Sequence, residues 1–137
     1  MNKSKNKSGF TLLEVIIVII IVGVLASLAL PRFFKTVEYS RAMEALSNLG
    51  TLRNAMGRCY MPSSSYTPCS MGALDVEDPG TSPGTHFAYT IPGALLQPTT
   101  FTLRATRNSI DGGNVGDTIN ITDAGVKSGN GAFLGIR

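Results

Sequence analysis

The chain has 137 residues, of which 43% are apolar and only 15% are charged, and its formal net charge is +3. This length predicts one domain with a modest core, and so low a share of charged residues argues against an ordinary cytosolic enzyme. Three of the twelve basic residues, Lys3, Lys5 and Lys7, lie in the first nine residues, and the others balance the nine acidic residues. The basic charge is therefore a property of the N-terminal tip and does not favour a nucleic-acid partner.

The first predicted elements are a basic tip, residues 1–9, and an apolar segment, residues 10–30. As a helix, these 21 apolar-rich residues would span about 31 Å, which matches the hydrocarbon core of a bilayer. We therefore expect residues 10–30 to form a transmembrane helix that can also serve as the core of an apolar assembly. The positive-inside bias favours a cytoplasmic location for the basic tip.

Two basic and two aromatic residues follow the apolar segment closely. Arg32 and Lys35 weaken the charge asymmetry across the predicted span. Phe33 and Phe34 have three possible roles, which are contact with neighbouring subunits, packing on a sheet, or location at a membrane interface.

A second helical segment is predicted over residues 31–60. Pro31 can bend a helix without ending it, whereas Pro62 and the serine run after it favour an end near Tyr60. Apolar residues recur at helical spacing and predict one buried side: Leu46, Leu49, Leu52, Met56 and Cys59, extended backwards less regularly by Phe34, Val37 and Ala42.

The remaining residues, 61–137, predict a globular domain of loops and β-strands. Prolines and glycines dominate residues 61–84, and strand patterns follow. The predicted strands are His86 to Ile91, Phe101 to Thr106, Thr118 to Thr122 and Ala132 to Ile136. The predicted fold class is α+β, with a helix of about 50 residues and a projecting apolar first half, packed against a small antiparallel sheet of three or four strands.

The two cysteines, Cys59 and Cys69, lie ten residues apart in a loop-like stretch. In an exported domain this spacing favours a disulfide, and the alternatives are two free thiols or a metal site. Zinc needs three or four ligands, and the only histidine is His86, which is predicted at the surface or at a sheet edge.

A single carboxylate, Glu14, lies inside the apolar segment. A charge at the centre of a membrane helix costs roughly 2.5–3.5 kcal/mol on insertion scales, and less near an end, so a partner is expected. Cleavage between Gly9 and Phe10 would create one by freeing the α-amino group of Phe10. This amine could meet Glu14 across one helical turn or in a neighbouring chain.

The block G-F-T-L-L-E at residues 9–14, between a Lys-rich tip and a 16-residue apolar run, resembles the class III signal of type IV pilins and of type II secretion pseudopilins. The resemblance covers residues 7–35 in detail and only the helix-then-sheet outline beyond. It implies that a prepilin peptidase cleaves after Gly9 and methylates the new N-terminal Phe10. It also implies that Glu14 acts in subunit registration during filament assembly.

The function that this resemblance implies is structural and not enzymatic. The chain would be the subunit of a helical homopolymer, a type IV pilus-like surface filament, with no cofactor. Its precursor would sit in the inner membrane before it becomes an extracellular pilus on the cell surface. The resemblance also implies an assembly ATPase and a platform protein as partners.

Other interpretations remain open at this point. Residues 1–30 could be an ordinary secretory signal with a cleavage site at Ser27-Leu28-Ala29, or an uncleaved anchor. Within the family, the alternative is a pseudopilin of a periplasmic secretion pseudopilus. A minor pilin that binds a ligand, for example DNA, represents another functional class. An exported enzyme on a membrane anchor is the alternative outside the family.

A few polar residues of the C-terminal half are weak site candidates. Asp111, Asn114 and Asp117 could offer oxygens to calcium, although their spacing does not fit an EF-hand loop and turns favour the same residues. The sequence therefore predicts no metal site. Arg104, Arg107 and Lys127 could form a small basic face, which is a weak electrostatic footprint for DNA.

Overall fold

The computed structural model describes residues 9–136. Of the leader predicted over residues 1–9, only Gly9 falls within this range, and the rest lies outside the described residues. The chain divides into two units, residues 1–36 and 37–137. Helix α1, Leu12–Ser63, contributes to both.

In the first unit, α1 is a largely apolar helix whose residues are all exposed. Every residue from Phe10 to Thr36 is exposed, and α1 continues through Pro31 without interruption. Within the described residues, α1 is the one helix that is long and apolar enough to cross a membrane. The predominance of isoleucine, valine and leucine explains this property, since none of them breaks a helix and all favour an apolar environment.

Helix α1 ends three residues later than the sequence predicts. It includes Pro62 in its last turn. A proline has no backbone N–H, so at this position it removes only one hydrogen bond of the helix. The amide of Ser64 still donates to the Tyr60 carbonyl at 2.8 Å. Ser64 itself has a φ of 50°, and this left-handed conformation ends the helix.

The second unit is an antiparallel sheet of four strands packed against α1, so the α+β prediction is confirmed. The strands are β1 (Phe87–Thr90), β2 (Thr102–Arg107), β3 (Thr118–Thr122) and β4 (Lys127–Gly129), and their spatial order is β1-β2-β3-β4.

One predicted strand is wrong. Residues Ala132 to Ile136 do not form a strand, and a short 3-10 turn, Gly131–Phe133, lies there instead. The fourth strand is β4, which pairs with Ile119–Ile121 of β3 across a tight connection. A three-residue strand of Lys, Ser and Gly has no apolar alternation, so hairpin pairing rather than pattern determines its position.

Small and large apolar residues alternate across the interface between α1 and the sheet. Ala42, Ala45, Leu49 and Leu52 are at most 1% exposed, and the small side chains let the helix approach the strands closely. Phe34, which the sequence pattern places on the buried stripe, is 59% exposed instead. The inward faces of the strands complete the core with Phe87, Tyr89, Leu103, Ala105, Ile119 and Ile121.

Both outer edges of the sheet are covered by short turns. The turn Pro79–Thr81 packs against β1, where a side chain at Gly80 would lie within 3.3 Å of the Tyr89 backbone nitrogen. The turn Gly131–Phe133 packs against β4, and a side chain at Gly129 would collide with the Phe133 carbonyl. Glycine is required at Gly129, and a side chain at Gly80 would fit only if its neighbours shifted slightly, because the covering backbone comes so close.

Candidate functional site

The first turn of α1 holds the residues on which the resemblance depends. Gly9, Phe10 and Thr11 precede the helix and are exposed. The backbone N–H and the Oγ1 hydroxyl of Thr11 both donate to Glu14 Oε2 at 2.9 Å. In return, the Glu14 backbone N–H donates to Thr11 Oγ1 at 3.2 Å. This reciprocal pattern is a capping box, which satisfies backbone donors that a helix start otherwise leaves unpaired.

The capping box defines what Glu14 does before any cleavage. Its carboxylate lies at the positive end of the helix dipole, held by Thr11. While the peptide bond between Gly9 and Phe10 is intact, Phe10 carries an amide and not a charged amine, so Thr11 supplies the donors for Glu14. Cleavage would place a charged amine on the residue directly before Thr11.

Thr11 is a site residue that the sequence reasoning missed. The sequence did contain the signal, because T-L-L-E at residues 11–14 fits the capping-box pattern of Ser or Thr followed three residues later by Glu. The same glutamate also fits a second interpretation, that of an unpaired charge in an apolar segment.

A second polar cluster lies in the sheet unit, where β2 ends beside α1. Arg107 is 1% exposed, and its Nε and Nη2 donate to the two carboxylate oxygens of Glu38, each at 3.0 Å. Glu38 also accepts from Arg41 at 2.6 Å, and Arg41 donates to Asp111 at 2.9 Å. His86 Nε2 lies 3.0 Å from the same Asp111 oxygen. The cluster therefore links α1, β2, the residue before β1 and the loop after β2.

The cluster holds its carboxylates in the ionised form. Hydrogen bonds from Arg107 lower the pKa of Glu38, with Arg41 contributing and partial burial opposing. The hydrogen bond to His86 lowers the pKa of Asp111, again aided by Arg41. Hydrogen bonds to the charged form of a carboxyl group stabilise that form. The cluster stabilises the fold, since every carboxylate in it has a cationic or imidazole neighbour.

The weak calcium candidates do not converge on one point. Asp111 is engaged by Arg41 and His86. Asn114 Nδ2 donates to Asp117 Oδ1 at 3.0 Å, and the Ala132 amide donates to the other Asp117 oxygen at 3.0 Å. Across residues 9–136, no three His, Cys, Asp or Glu side chains group as metal ligands would.

Arg107 does not belong to the small basic face that the sequence suggests. Arg107 is buried and paired with Glu38, so it offers no charge to a partner. Arg104 Nε donates to Asn120 Oδ1 at 2.9 Å on the outer face of the sheet. Successive residues of β2 face opposite sides of the sheet, which explains the difference. Arg107 faces the core, as Leu103 does, and Arg104 faces outward.

The cysteine prediction is confirmed, since Cys59 and Cys69 form a disulfide. The bond joins the last turns of α1 to the loop that follows. Beside it, Arg58 makes a two-point ion pair with Asp75, at 2.5 and 2.7 Å. These two links tie the long connection between α1 and β1 to the helix.

Comparison with known proteins adds independent observations. Residues 4–30 match a family described as "Prokaryotic N-terminal methylation motif". The chain is 36% identical over 70 residues to type II secretion system core protein G of Aeromonas hydrophila, covering 51% of this chain and 49% of that protein. It is 32% identical over 66 residues to type IV major fimbrial protein FimA of Dichelobacter nodosus, covering 48% and 41%. The chain thus matches about half the length of these relatives.

Among solved structures, the fold resembles the non-core minor pilin PilV of Neisseria meningitidis. The TM-score is 0.54 at 20% identity, and the match covers 67% of this chain and 85% of that one. The similarity supports the helix-on-sheet fold. The N-terminal motif and the relatives support the family of type IV pilins and type II secretion pseudopilins for this chain.

Proposed function

We propose that the chain is the structural subunit of a type IV pilus-like helical filament, made as a membrane-inserted prepilin. Cleavage after Gly9 removes the basic tip, and methylation follows at Phe10. The observation that carries this proposal is the capping box, in which Glu14 is held one turn beyond the bond to be cut. A prepilin peptidase, an assembly ATPase and a platform protein are the partners that the family suggests.

The exposed apolar surface of α1 supports a polymer built from helices. Residues 10–30 present one carboxylate and no other charge, and all are exposed in the single chain. Lipid tails are as apolar as leucine, so moving this helix from lipid to a filament core gains no hydrophobic free energy. Close packing and the pairing of Glu14 with the new amine of Phe10 must favour the filament, and external work must extract the subunit.

The geometry of such a polymer follows from its contacts. A helix surface that meets a different surface on the next copy is a head-to-tail interface, which generates an open helical polymer when the rotation does not close. The sheet unit, whose outward strand residues include Thr102, Thr106 and Thr118, would coat the outside. Pro31 provides the point at which the helix can bend.

A pseudopilus subunit is the second candidate function. The observation that favours it is the similarity to type II secretion system core protein G, at 36% identity over 70 residues. A pseudopilus uses the same processing and the same helix packing, but remains within the cell envelope. The two candidates therefore differ in where the polymer is found.

Intact mass of two fractions tests the proposal, using material sheared from cells and the membrane pellet. A pilin gives, in the sheared fraction, the mass of residues 10–137 plus one methyl group and minus two hydrogens. The same mass confined to the pellet favours the pseudopilus. A Gly9→Val variant serves as the processing control and should give only the uncleaved mass. A chain that begins elsewhere, or an uncleaved wild-type chain, would refute the filament function.

A further inference from the structure

We propose that Arg32, Phe33, Phe34 and Lys35 form an anchor that binds the phosphate headgroups of anionic phospholipids while the chain is membrane-inserted. We call these four residues the headgroup anchor. The inference rests on the proposed membrane stage of the chain, and it assigns a lipid partner to a segment whose side chains have no other described role.

The position of the headgroup anchor follows from helix geometry. If residues 10–30 fill the hydrocarbon core, Arg32 lies about 3 Å and Lys35 about 7.5 Å beyond the last apolar residue along the helix axis. The headgroup zone extends roughly 5–7.5 Å beyond the hydrocarbon on each side of a bilayer. Both cations therefore fall at the depth of the lipid phosphates.

The charge of the segment complements an anionic surface. Between Glu14 and Glu38 the sequence has no acidic residue and only two basic ones, Arg32 and Lys35. Neither of them makes an ion pair with any residue in the described range 9–136. Their long side chains can extend along the helix towards phosphates while the alkyl parts remain in the apolar layer.

The aromatic pair is exposed and apolar. Phe33 and Phe34 are 62% and 59% exposed, and their rings meet edge to face with centroids 6.1 Å apart. Phenylalanine rings can bury at the acyl side of the headgroup boundary while neighbouring cations reach the phosphates. The segment thus favours a lipid surface over a protein partner, because its two unpaired cations match phosphates directly.

The test measures lipid selectivity of the full chain in phosphatidylcholine vesicles. Trace spin-labelled phosphatidylglycerol and spin-labelled phosphatidylcholine are compared by the motionally restricted fraction of their electron paramagnetic resonance spectra. Wild type should prefer phosphatidylglycerol, and Arg32→Gln/Lys35→Gln should reduce this preference by up to about fivefold for each cation removed. The preference that the leader lysines contribute is present in both proteins, so the difference between them reports the anchor.

Two controls sharpen the result. Arg104→Gln removes one positive charge from the sheet unit and should leave the preference unchanged. High salt should shrink the difference between wild type and Arg32→Gln/Lys35→Gln, because salt screens exposed charges. Equal selectivity of wild type and the double variant would overturn the anchor. So would a photo-crosslinker at Phe33 that joins chain to chain in these vesicles and labels no lipid, since the segment would then be a subunit contact.

Failure of the anchor and failure of the proposed function give different results. Resistance of the wild-type chain to alkaline carbonate extraction reports insertion by itself. Insertion without selectivity for phosphatidylglycerol refutes the anchor and leaves the membrane-inserted precursor intact. A chain that carbonate extracts completely refutes the membrane stage, and the anchor with it.

Discussion

The guanidinium of Arg107 and the carboxylate of Glu38 make a two-point ion pair, with both N–H···O distances at 3.0 Å. Arg107 is almost completely buried, whereas the Glu38 side chain keeps a quarter of its surface exposed. The remaining donors of Arg107 reach the carbonyls of His86, Asn108 and Ile110. A buried guanidinium is tolerated only when its donors are satisfied in this way. The pair therefore fixes the end of β2 against α1.

Glu38→Ala should destabilise the sheet unit. Removing one partner of a buried ion pair costs roughly 3–5 kcal/mol, and the partial exposure of Glu38 lowers the expected loss in unfolding free energy to about 2 kcal/mol. Urea unfolding of the full chain in detergent micelles, followed by tyrosine fluorescence, measures this loss. Glu38→Ala/Arg107→Met should recover most of it, and Glu77→Ala is the matched surface control. An unchanged midpoint in Glu38→Ala would contradict the role given to the pair.

Stability should fall in acid because of the same cluster. The pKa of Glu38 is lowered from an ordinary 4.5 and that of Asp111 from 3.8. A lowered folded-state pKa gives stability that is complete above the unfolded-state pKa and is lost as the pH falls through the folded-state value. Thermal midpoints from neutral pH down to about pH 3 should therefore drop most steeply below about pH 4.5. Glu38→Gln should show a shallower fall, and parallel curves would speak against this assignment.

Loss of the disulfide should loosen the connection between α1 and β1. Cys59 and Cys69 are ten residues apart, and on the chain-entropy account closing such a loop stabilises by about 2–3 kcal/mol. Cys59→Ser/Cys69→Ser should lower the urea midpoint by a corresponding amount. Reductant should lower the wild-type midpoint to the same level and leave the double variant unaffected. A reductant effect on the double variant would mean that another process is being measured.

Glu14→Ala should block assembly while export and processing continue. The variant keeps the apolar helix and the Gly9–Phe10 bond, and loses only the carboxylate that is expected to pair with the new amine. The sheared fraction should contain little or no subunit, and the membrane pellet should contain the processed mass. Glu44→Ala, which removes an exposed carboxylate from a later turn of α1, is the matched control. Normal filaments from Glu14→Ala would refute the role proposed for Glu14.

Periodicity predicted most of the fold. Apolar residues recur every three or four positions along α1 and at every second position in β2 and β3. These are strong signals because each pattern gives an element one apolar face to bury. The prediction that Phe34 joins the buried stripe was wrong. The first fully buried residue of α1 is Ala42. Small residues such as Ala42 and Ala45 carry little hydrophobic signal although they allow the closest approach.

The polar contacts were harder to predict because they depend on which distant residues meet. Arg107 and Glu38 are 69 positions apart, and no local pattern joins them. Arg107 lies on the same face of β2 as Leu103, and this spacing in the sequence indicates that the arginine is buried. The partnership of Thr11 with Glu14 was local, and the capping-box pattern would have found it. The fourth strand could not be found by pattern, since its three residues are polar or glycine.

The covered edges of the sheet have a consequence for the behaviour of the chain when it is crowded. An open edge strand is a template on which another chain can add its own strand, and it is a common route to aggregation. Here the turns Pro79–Thr81 and Gly131–Phe133 occupy both positions. The two turns therefore obstruct the addition of a foreign strand at both edges when many copies of the sheet unit are held side by side.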